Sequence, residues 1–252
     1  NNEIGVPWTI LQTKPDTEFL VLELGVAKPG DMAYLANMIV PDISVITKIG
    51  PTHLASLKTK LGVWQEKSII LERANKVVLN IECKYCQQYK GFVDYWFGIV
   101  SREGVKSMID EASIAHLVPT AMAHRIEVFT AAAAVCKLLG YDPVFQGYEM
   151  PKSRMMLINH PSGAQIIDDC YNASYIAYIA ALRYLSQFNY KVAIVGEMGD
   201  LGVLSKHYHH LLAHALNYFS IDVVILVGGE TLCMQNIIYG DVFYASDTKV
   251  LP

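Results

Sequence analysis

Long uninterrupted hydrophobic runs are missing from this sequence, although its composition is strongly apolar. Hydrophobic residues make up 52% of its 252 residues, and the mean hydropathy is +0.27. A membrane-spanning helix needs about 20 consecutive apolar residues. The best candidate, 129–139, is shorter and contains Lys137. We therefore expect a buried helix there and no insertion into a membrane.

Charged residues are also scarce, and there is no excess of positive charge. They make up 17% of the chain, against about 25% in an average globular domain, which indicates a large core and excludes disorder as the main state. The 20 Lys and Arg against 24 Asp and Glu give a net charge of −4. Binding to nucleic acid or to an anionic membrane is not expected, although a local phosphate site remains open.

Cysteines are too few and too scattered for a disulfide framework. The chain has 5, an odd number, which favours a reducing, cytoplasmic environment. Cys83 and Cys86 have the C-x-x-C spacing of zinc and redox sites, but no second pair completes a four-cysteine zinc site, so neither function is favoured. No secretory signal opens the chain, which begins at Asn1, and we expect residues to precede it.

Apolar runs alternate with helical stretches along the chain. This alternation predicts an α/β protein with a parallel sheet in each half. We expect two domains, 1–147 and 148–252, with the boundary near Gly147–Pro151, whereas 84–113 gives no clear pattern. The predicted strands are 19–24, 44–47, 76–80, 165–169, 191–196 and 222–227, and the predicted helices are 31–38, 64–73, 125–139, 175–188 and 205–219.

Acidic residues follow several of these strands, where an open α/β sheet binds its ligands. Such an acid can hold Mg²⁺, accept from a ribose hydroxyl or cap the next helix, and the residues alone leave all three open. His53 and Lys67 taken singly are typical of ordinary surface residues. His207, His210 and His214 share a helix face and could bind zinc, but no H-E-x-x-H arrangement is present, so a structural role is favoured. The acids are Glu23, Asp168, Asp169, Glu197 and Asp200.

The order of the motifs carries more information than any single one. In chain order they are Asn1–Pro7, Glu23-Leu24-Gly25, Gly30-Asp31, Thr52-His53-Leu54, Lys67, His124, Asp168–Ala173 and Gly196–Gly202. Together they resemble the Mur ligases, and the last two motifs are most similar to the branch that adds D-alanyl-D-alanine. The resemblance implies a central ATPase-type domain with a mostly parallel sheet, followed by a Rossmann-like domain.

The resemblance also implies an activity. The family uses ATP and Mg²⁺ to form an acyl phosphate on a UDP-MurNAc-peptide, which an amino component then attacks to form an amide. The expected substrates are therefore UDP-MurNAc-tripeptide and D-Ala-D-Ala, and the expected state is a monomer. A metal ion suits this chemistry, because joining a carboxylate to the γ-phosphate brings anions together.

Site residues follow by matching positions to the family's motifs. Glu23 and His53 match its Mg²⁺ ligands. Lys67 matches a lysine that is carbamylated in several members, where the new carboxylate helps to place magnesium. The resemblance therefore assigns catalytic roles to Lys67 and His53.

A second group of matched positions concerns the nucleotide and the dipeptide. His124 matches the histidine that borders the adenine pocket. Arg154 matches the arginine that reaches the phosphates, and Asp169 the acid that accepts from the ribose. Asn172 lies in the motif that faces the incoming dipeptide.

Several positions depart from the family. No G-x-x-x-x-G-K-[ST] phosphate loop occurs, and the family places it before the Asn1-Asn2 motif, so this chain alone is expected to be inactive. The chain also ends before the last strands of the family's third domain, which suggests a fragment. A degenerate, non-catalytic homologue acting as a binding or scaffolding protein is the alternative. The replaced positions are Lys48 and Ala55 (Asn and Glu in the family), Arg125 and Val128 (both Asn), and Ser174-Tyr175 (Asn-Pro).

Overall fold

The computed structural model describes residues 1–102, 105, 107–118, 125–149 and 151–250. The chain divides into two compact units, Asn1–Ile49 with Ser56–Tyr148, and Gly50–Ala55 with Glu149–Pro252. The short segment 50–55 therefore clusters with the second unit, although it lies within the first half of the sequence. Within the described ranges, no helix is both long enough and apolar enough to cross a membrane.

The first unit is built on a four-stranded parallel sheet with the order β1-β2-β3-β4. Its strands are β1 (Ile43–Ile46), β2 (Lys76–Asn80), β3 (Tyr95–Phe97) and β4 (Met108–Ile109). The helices of this half of the chain are α1 (Gly5–Leu11), α2 (Asp31–Ala36), α3 (Leu54–Leu57), α4 (Lys60–Ser68), α5 (Glu111–Ile114) and α6 (Ile126–Leu138). A 3₁₀ turn, Ile69–Arg73, extends α4. Helix α3 begins in the segment 50–55.

Helix α6 packs against β2, β3 and β4 to form the main core of this unit. Ala133 and Ala134 are fully buried, and their small side chains let the helix approach the sheet closely. Phe129 completes the contact, with its ring centroid 4.8 Å from that of Phe145 in an edge-on arrangement. Burial of an aromatic ring and its neighbours is a large part of the hydrophobic stabilisation of such a core.

Helices α2 and α4 are linked by a buried carboxylate. Glu66 of α4 is 7% exposed, and its two oxygens accept from the backbone N–H groups of Gly30 (3.1 Å) and Met32 (2.7 Å). These N–H groups lie at the N-terminus of α2, where the helix itself supplies no acceptors. Glu66 therefore caps α2 from another helix and also meets the positive end of its dipole.

The second unit combines a hairpin with a three-stranded parallel sheet. The hairpin pairs β5 (Met156–Asn159) with β6 (Gln165–Asp168) in antiparallel orientation. The sheet has the order β7-β8-β9, with β7 (Val192–Val195), β8 (Val223–Val227) and β9 (Asp241–Ala245). Helices α7 (Tyr175–Leu185) and α8 (Ser205–Tyr218) accompany it, and α8 buries Leu212 and Leu216.

The predicted α/β class with mostly parallel sheets is confirmed, and most predicted elements are present. One predicted strand is wrong. Residues 19–24 contain no strand, because they pair with no described strand, and Val21 is 91% exposed. The predicted helix 64–73 begins earlier, at Lys60, because the hydroxyl of Thr59 accepts from Gly62 N–H at 3.0 Å and caps it there.

Replacing Glu66 should destabilise the first unit. In Glu66→Ala the N–H groups of Gly30 and Met32 lose their acceptor, and the loss at the buried Met32 costs about 1–3 kcal/mol, whereas the exposed Gly30 can bond water. Glu66→Gln should cost less, because one acceptor oxygen remains. Urea denaturation followed by tryptophan fluorescence measures the change, and Glu72→Gln on the exposed side of the same region is the matched control. Equal stability of Glu66→Ala and Glu72→Gln would contradict the capping role.

Candidate functional site

A buried amide organises the end of the parallel sheet in the first unit. Asn80, the last residue of β2, is fully buried. Its side-chain nitrogen donates to the carbonyl of Thr47 and to Glu127 Oε1, both at 2.8 Å. Glu127, in the first turn of α6, also meets Lys48 Nζ at 3.2 Å. The carboxyl ends of β1 and β2 and the start of α6 are thus joined by one polar network.

Glu23 and Lys67, two of the residues assigned to the metal site, lie close enough in the first unit to interact. Burial lowers the pKa of the Lys67 amine below its usual value, and the nearby Glu23 carboxylate partly offsets this effect. Glu23 itself is exposed and accepts from the side-chain amide of Asn1 at 3.0 Å. The pair offers one carboxylate and an amine that loses its proton more readily than a solvated lysine does.

His53 lies in the segment 50–55, within the second unit. Its Nδ1 is 3.3 Å from Asp200 Oδ2, and the backbone N–H of the neighbouring Ala55 donates to the Asp200 carbonyl at 2.9 Å. Both His53 and Asp200 have positive φ angles, 54° and 59°. The segment is therefore held against the Asp200 turn by a backbone bond and a side-chain pair.

The loop Gly196–Gly202, which follows β7, is held at several further points. The hydroxyl of Tyr178 donates to the Gly196 carbonyl at 2.8 Å, and burial raises the pKa of Tyr178 to about 12. The N–H of Met198 donates to Nε2 of the fully buried His209 at 3.2 Å. Nδ1 of the same ring lies 2.9 Å from the Ser205 carbonyl, which assigns the ring proton to Nδ1. These contacts fix the backbone that presents Asp200.

A second polar cluster lies where β6 ends. Asp169 Oδ1 accepts from the N–H of Met155 at 3.1 Å. The guanidinium of Arg154 stacks 3.7 Å above the centre of the Tyr171 ring, a cation–π contact that fixes its plane. Asn172 is exposed. Arg154, Asp169 and Asn172 are thus brought to one end of the hairpin.

Metal ligands do not form a preassembled cage here. In the parts of the chain that the structure describes, no group of three or more His, Cys, Asp or Glu side chains could hold a metal ion. His207, His210 and His214 are among the residues that form no such group. Zinc binding was the less favoured interpretation of these three histidines. Mg²⁺ needs no such cage, because it keeps several waters and is held by one or two carboxylates together with substrate phosphates.

Sequence reasoning missed several residues that shape these clusters. No role was assigned to Asn80, Glu127 or Tyr178. For Asn80 the sequence did offer a signal, because it is a polar residue that directly follows the apolar run Val-Val-Leu. The pairing of His53 with Asp200 depends on tertiary contacts and had no local signal. His124, assigned to the adenine pocket, lies outside the described residues.

Comparisons with known families match both halves of the chain. A model of the "Mur ligase middle domain" matches residues 1–134, and a model of the "Mur ligase, glutamate ligase domain" matches residues 153–244. These matches confirm the family that the order of the motifs predicted.

Individual relatives point the same way. The chain is 28% identical to a UDP-N-acetylmuramoyl-tripeptide--D-alanyl-D-alanine ligase of Buchnera aphidicola and 29% identical to that of Bacillus subtilis. Each alignment covers 90% of the chain and 56% or 55% of the relative, so the chain spans about half the length of these proteins.

Solved structures share the fold. The crystal structure of MurF from Acinetobacter baumannii superposes with a TM-score of 0.84 at 23% identity, covering 97% of this chain and 60% of that one. MurF from Thermotoga maritima in complex with ADP gives a TM-score of 0.81 at 24% identity, covering 98% and 62%. At these identities the likeness establishes the fold alone.

A side chain at position 202 should disturb the loop that presents Asp200. Gly202 has a φ of +57°, and an added Cβ would lie 2.9 Å from the Cα of Ala55. Gly202→Ala should therefore destabilise the second unit by about 1–3 kcal/mol. Gly199→Ala in the same loop is the control, because nothing lies within 4 Å of its added Cβ. Urea denaturation followed by circular dichroism compares the two variants, and equal stability would refute the close contact.

Proposed function

Because the chain belongs to the Mur ligase family, we propose that this protein is an ATP-dependent ligase that adds D-Ala-D-Ala to UDP-MurNAc-tripeptide. One observation carries the proposal: the two Mur ligase domains follow each other along the chain. Relatives that are named as this ligase align with 90% of the chain. The polar clusters at the sheet end of the first unit and at the hairpin end of the second support it.

The proposed reaction has two steps. A carboxylate oxygen of the tripeptide attacks the γ-phosphorus of ATP, an acyl phosphate forms and ADP leaves. The amine of D-Ala-D-Ala then attacks the acyl carbon, the amide bond forms, and phosphate leaves as the amine loses a proton. Positioning and charge neutralisation provide most of the catalysis in such a reaction.

Glu23 and Lys67 of the first unit are proposed Mg²⁺ residues, and His53, which clusters with the second unit, is proposed as a further ligand only by its match to the family. Mg²⁺ supplies charge neutralisation between the carboxylate and the phosphates. Glu23 provides an oxygen ligand of the kind that Mg²⁺ prefers, and His53 would offer a ring nitrogen. Lys67 fits as a carbamate, because burial favours its neutral amine, the form that attacks CO₂ and loses a proton to give a second carboxylate.

Nucleotide and dipeptide contacts are proposed for the remaining residues. The stacked guanidinium of Arg154 would bind phosphate, and the carboxylate of Asp169 would accept from the ribose hydroxyl. Asn172 would meet the dipeptide, and His124 would border the adenine. The cytoplasm, where ATP is available, is the proposed compartment, and action as a monomer stays a prediction.

The alternative, a non-catalytic homologue, draws its support from the replaced positions. Lys48 is the most serious of them, since a cation beside a metal site would repel Mg²⁺. Its ammonium group is paired with Glu127 at 3.2 Å, so the pair adds no net charge to the sheet end. Lys48 in place of Asn is therefore compatible with metal binding nearby.

Phosphate release should depend on both proposed substrates. In the protein as the cell makes it, release of phosphate from ATP should require UDP-MurNAc-tripeptide and D-Ala-D-Ala together, because the acyl phosphate forms only on the first and is consumed only by the second. A coupled phosphate assay with each substrate omitted in turn measures this. Activity that ignores either substrate would reject the proposed reaction, and no activity with the complete mixture would favour the binding-protein alternative.

Lys67 should take up CO₂. With ¹³C-labelled bicarbonate, the folded chain should give a carbamate carbon signal in NMR that strengthens as pH rises, since the neutral amine is the reacting form and burial makes it available at lower pH than in a solvated lysine. Lys67→Arg should lose the signal, whereas Lys76→Arg, at an exposed lysine, should keep it. A signal that survives in Lys67→Arg would exclude this site.

A further inference from the structure

The chain forms a helical turn directly after β2, and this turn carries the Cys83-Lys84-Tyr85-Cys86 segment. The N–H of Gln87 donates to the Cys83 carbonyl at 3.0 Å. The N–H of Tyr89 donates to the Cys86 carbonyl at 3.1 Å. Residues three apart in such a turn lie on the same face, with their Cβ atoms about 5–6 Å apart. The turn therefore places the two cysteine side chains side by side.

The two sulfur atoms interact directly. The thiol of Cys86 donates a hydrogen bond to the Cys83 sulfur. Both cysteines are buried, Cys86 completely and Cys83 with 8% of its surface exposed, so Cys83 is the more accessible residue of the two. All 5 cysteines are free in the structure, so the pair is present as a dithiol.

The surroundings of the two sulfurs give them different chemistry. The pKa of Cys83 lies below its usual value, because the Cys86 thiol and the backbone N–H groups of Cys86, Ile49 and Tyr85 donate to its sulfur, although burial opposes this effect. The same hydrogen bond, together with burial, raises the pKa of Cys86. Cys83 is thus the thiolate of the pair and Cys86 the proton donor, an arrangement that suits a reactive cysteine beside a resolving one.

We propose that Cys83 and Cys86 form a peroxide-sensitive dithiol that closes reversibly to a disulfide within this turn. The proposal depends on the geometry of the turn and not on the proposed ligase activity. A zinc site is a weaker reading, because no third His, Cys, Asp or Glu joins the pair among the described residues and structural zinc takes four ligands.

The chemistry balances with hydrogen peroxide as the oxidant. The Cys83 thiolate attacks one peroxide oxygen, the S–O bond forms as the O–O bond breaks, and the released hydroxide takes a proton to become water. The Cys86 sulfur then attacks the Cys83 sulfenic acid, the S–S bond forms, and a second water leaves with the thiol proton. The two thiols lose two electrons, and the peroxide becomes two waters.

The turn can accept the bond once it tightens, because a disulfide needs its two Cβ atoms about 3.5–4.5 Å apart. A disulfide needs Cα atoms about 4.4–6.8 Å apart, which the i and i+3 positions of a helical turn satisfy. Gln87 holds the turn further, because its side-chain amide donates to the Ile81 carbonyl. Oxidation would therefore lock the loop that leaves the polar sheet end at Asn80, and a thiol reductant would release it.

Peroxide treatment of the folded chain tests the proposal. After treatment, the protein is denatured, alkylated and digested for mass spectrometry. The peptide that carries both cysteines should lose two hydrogens and carry no alkyl group, and dithiothreitol should reverse this. Cys136→Ser is the matched control and should form the same disulfide. Full alkylation of Cys83 and Cys86 after peroxide treatment, equal to that of untreated protein, would overturn the proposal.

A second variant tests the order of the steps. Cys86→Ser removes the resolving thiol, so the sulfenic acid on Cys83 should persist and react with dimedone. Cys83→Ser should give no dimedone adduct at Cys86, because burial and a raised pKa protect that thiol. An adduct at Cys86 in Cys83→Ser, or none at Cys83 in Cys86→Ser, would overturn the assigned roles even where the disulfide forms in the unaltered chain.

Discussion

The polar end of the first unit depends on the side-chain amide of Asn80. This amide is fully buried and bonds the Thr47 carbonyl, the Glu127 carboxylate and, through its oxygen, the N–H of Glu82 at 2.8 Å. Each partner left unsatisfied in such a site costs about 1–3 kcal/mol. One side chain therefore fixes the ends of two strands, the start of α6 and the beginning of the turn that carries Cys83. The position of Lys48 follows from it, because Lys48 is bound to the same Glu127.

The fold could be predicted where a local pattern and the tertiary structure agree. β2, β8 and α8 are long apolar or periodic segments, and their observed bounds differ from the predicted ones by one residue at most. β3 and β4 contain 3 and 2 residues and exist as strands only because each pairs with a neighbour, so no local pattern could reveal them. Residues 19–24 show the opposite case, since a strand-like pattern without a pairing partner forms no strand.

The site residues were assigned by matching motifs and stay predictions, whereas their contacts had no signal in the sequence. The proximity of Glu23 to Lys67 agrees with the assigned metal site, although nothing in the spacing of 44 positions required it. The partner of His53 is Asp200, 147 positions away, and it depends on a loop fixed by Tyr178 and His209. Such contacts arise from packing between distant segments, and a single sequence carries no direct signal for them. The C-x-x-C spacing likewise showed a pair, whereas the hydrogen bond between its sulfurs needed the structure.

The departures from the family pattern are compensated locally. Ser174 stands where the family usually has Asn, and its hydroxyl accepts from the N–H of Ala177 at 3.3 Å, which caps α7. Ser and Asn are equally effective in this role, and the following proline of the family pattern is favourable but not required at the first helical position. Lys48 is neutralised by Glu127 in the same way. Both contacts stabilise the fold at the replaced positions, and a catalytic chain and a binding protein need that stability equally.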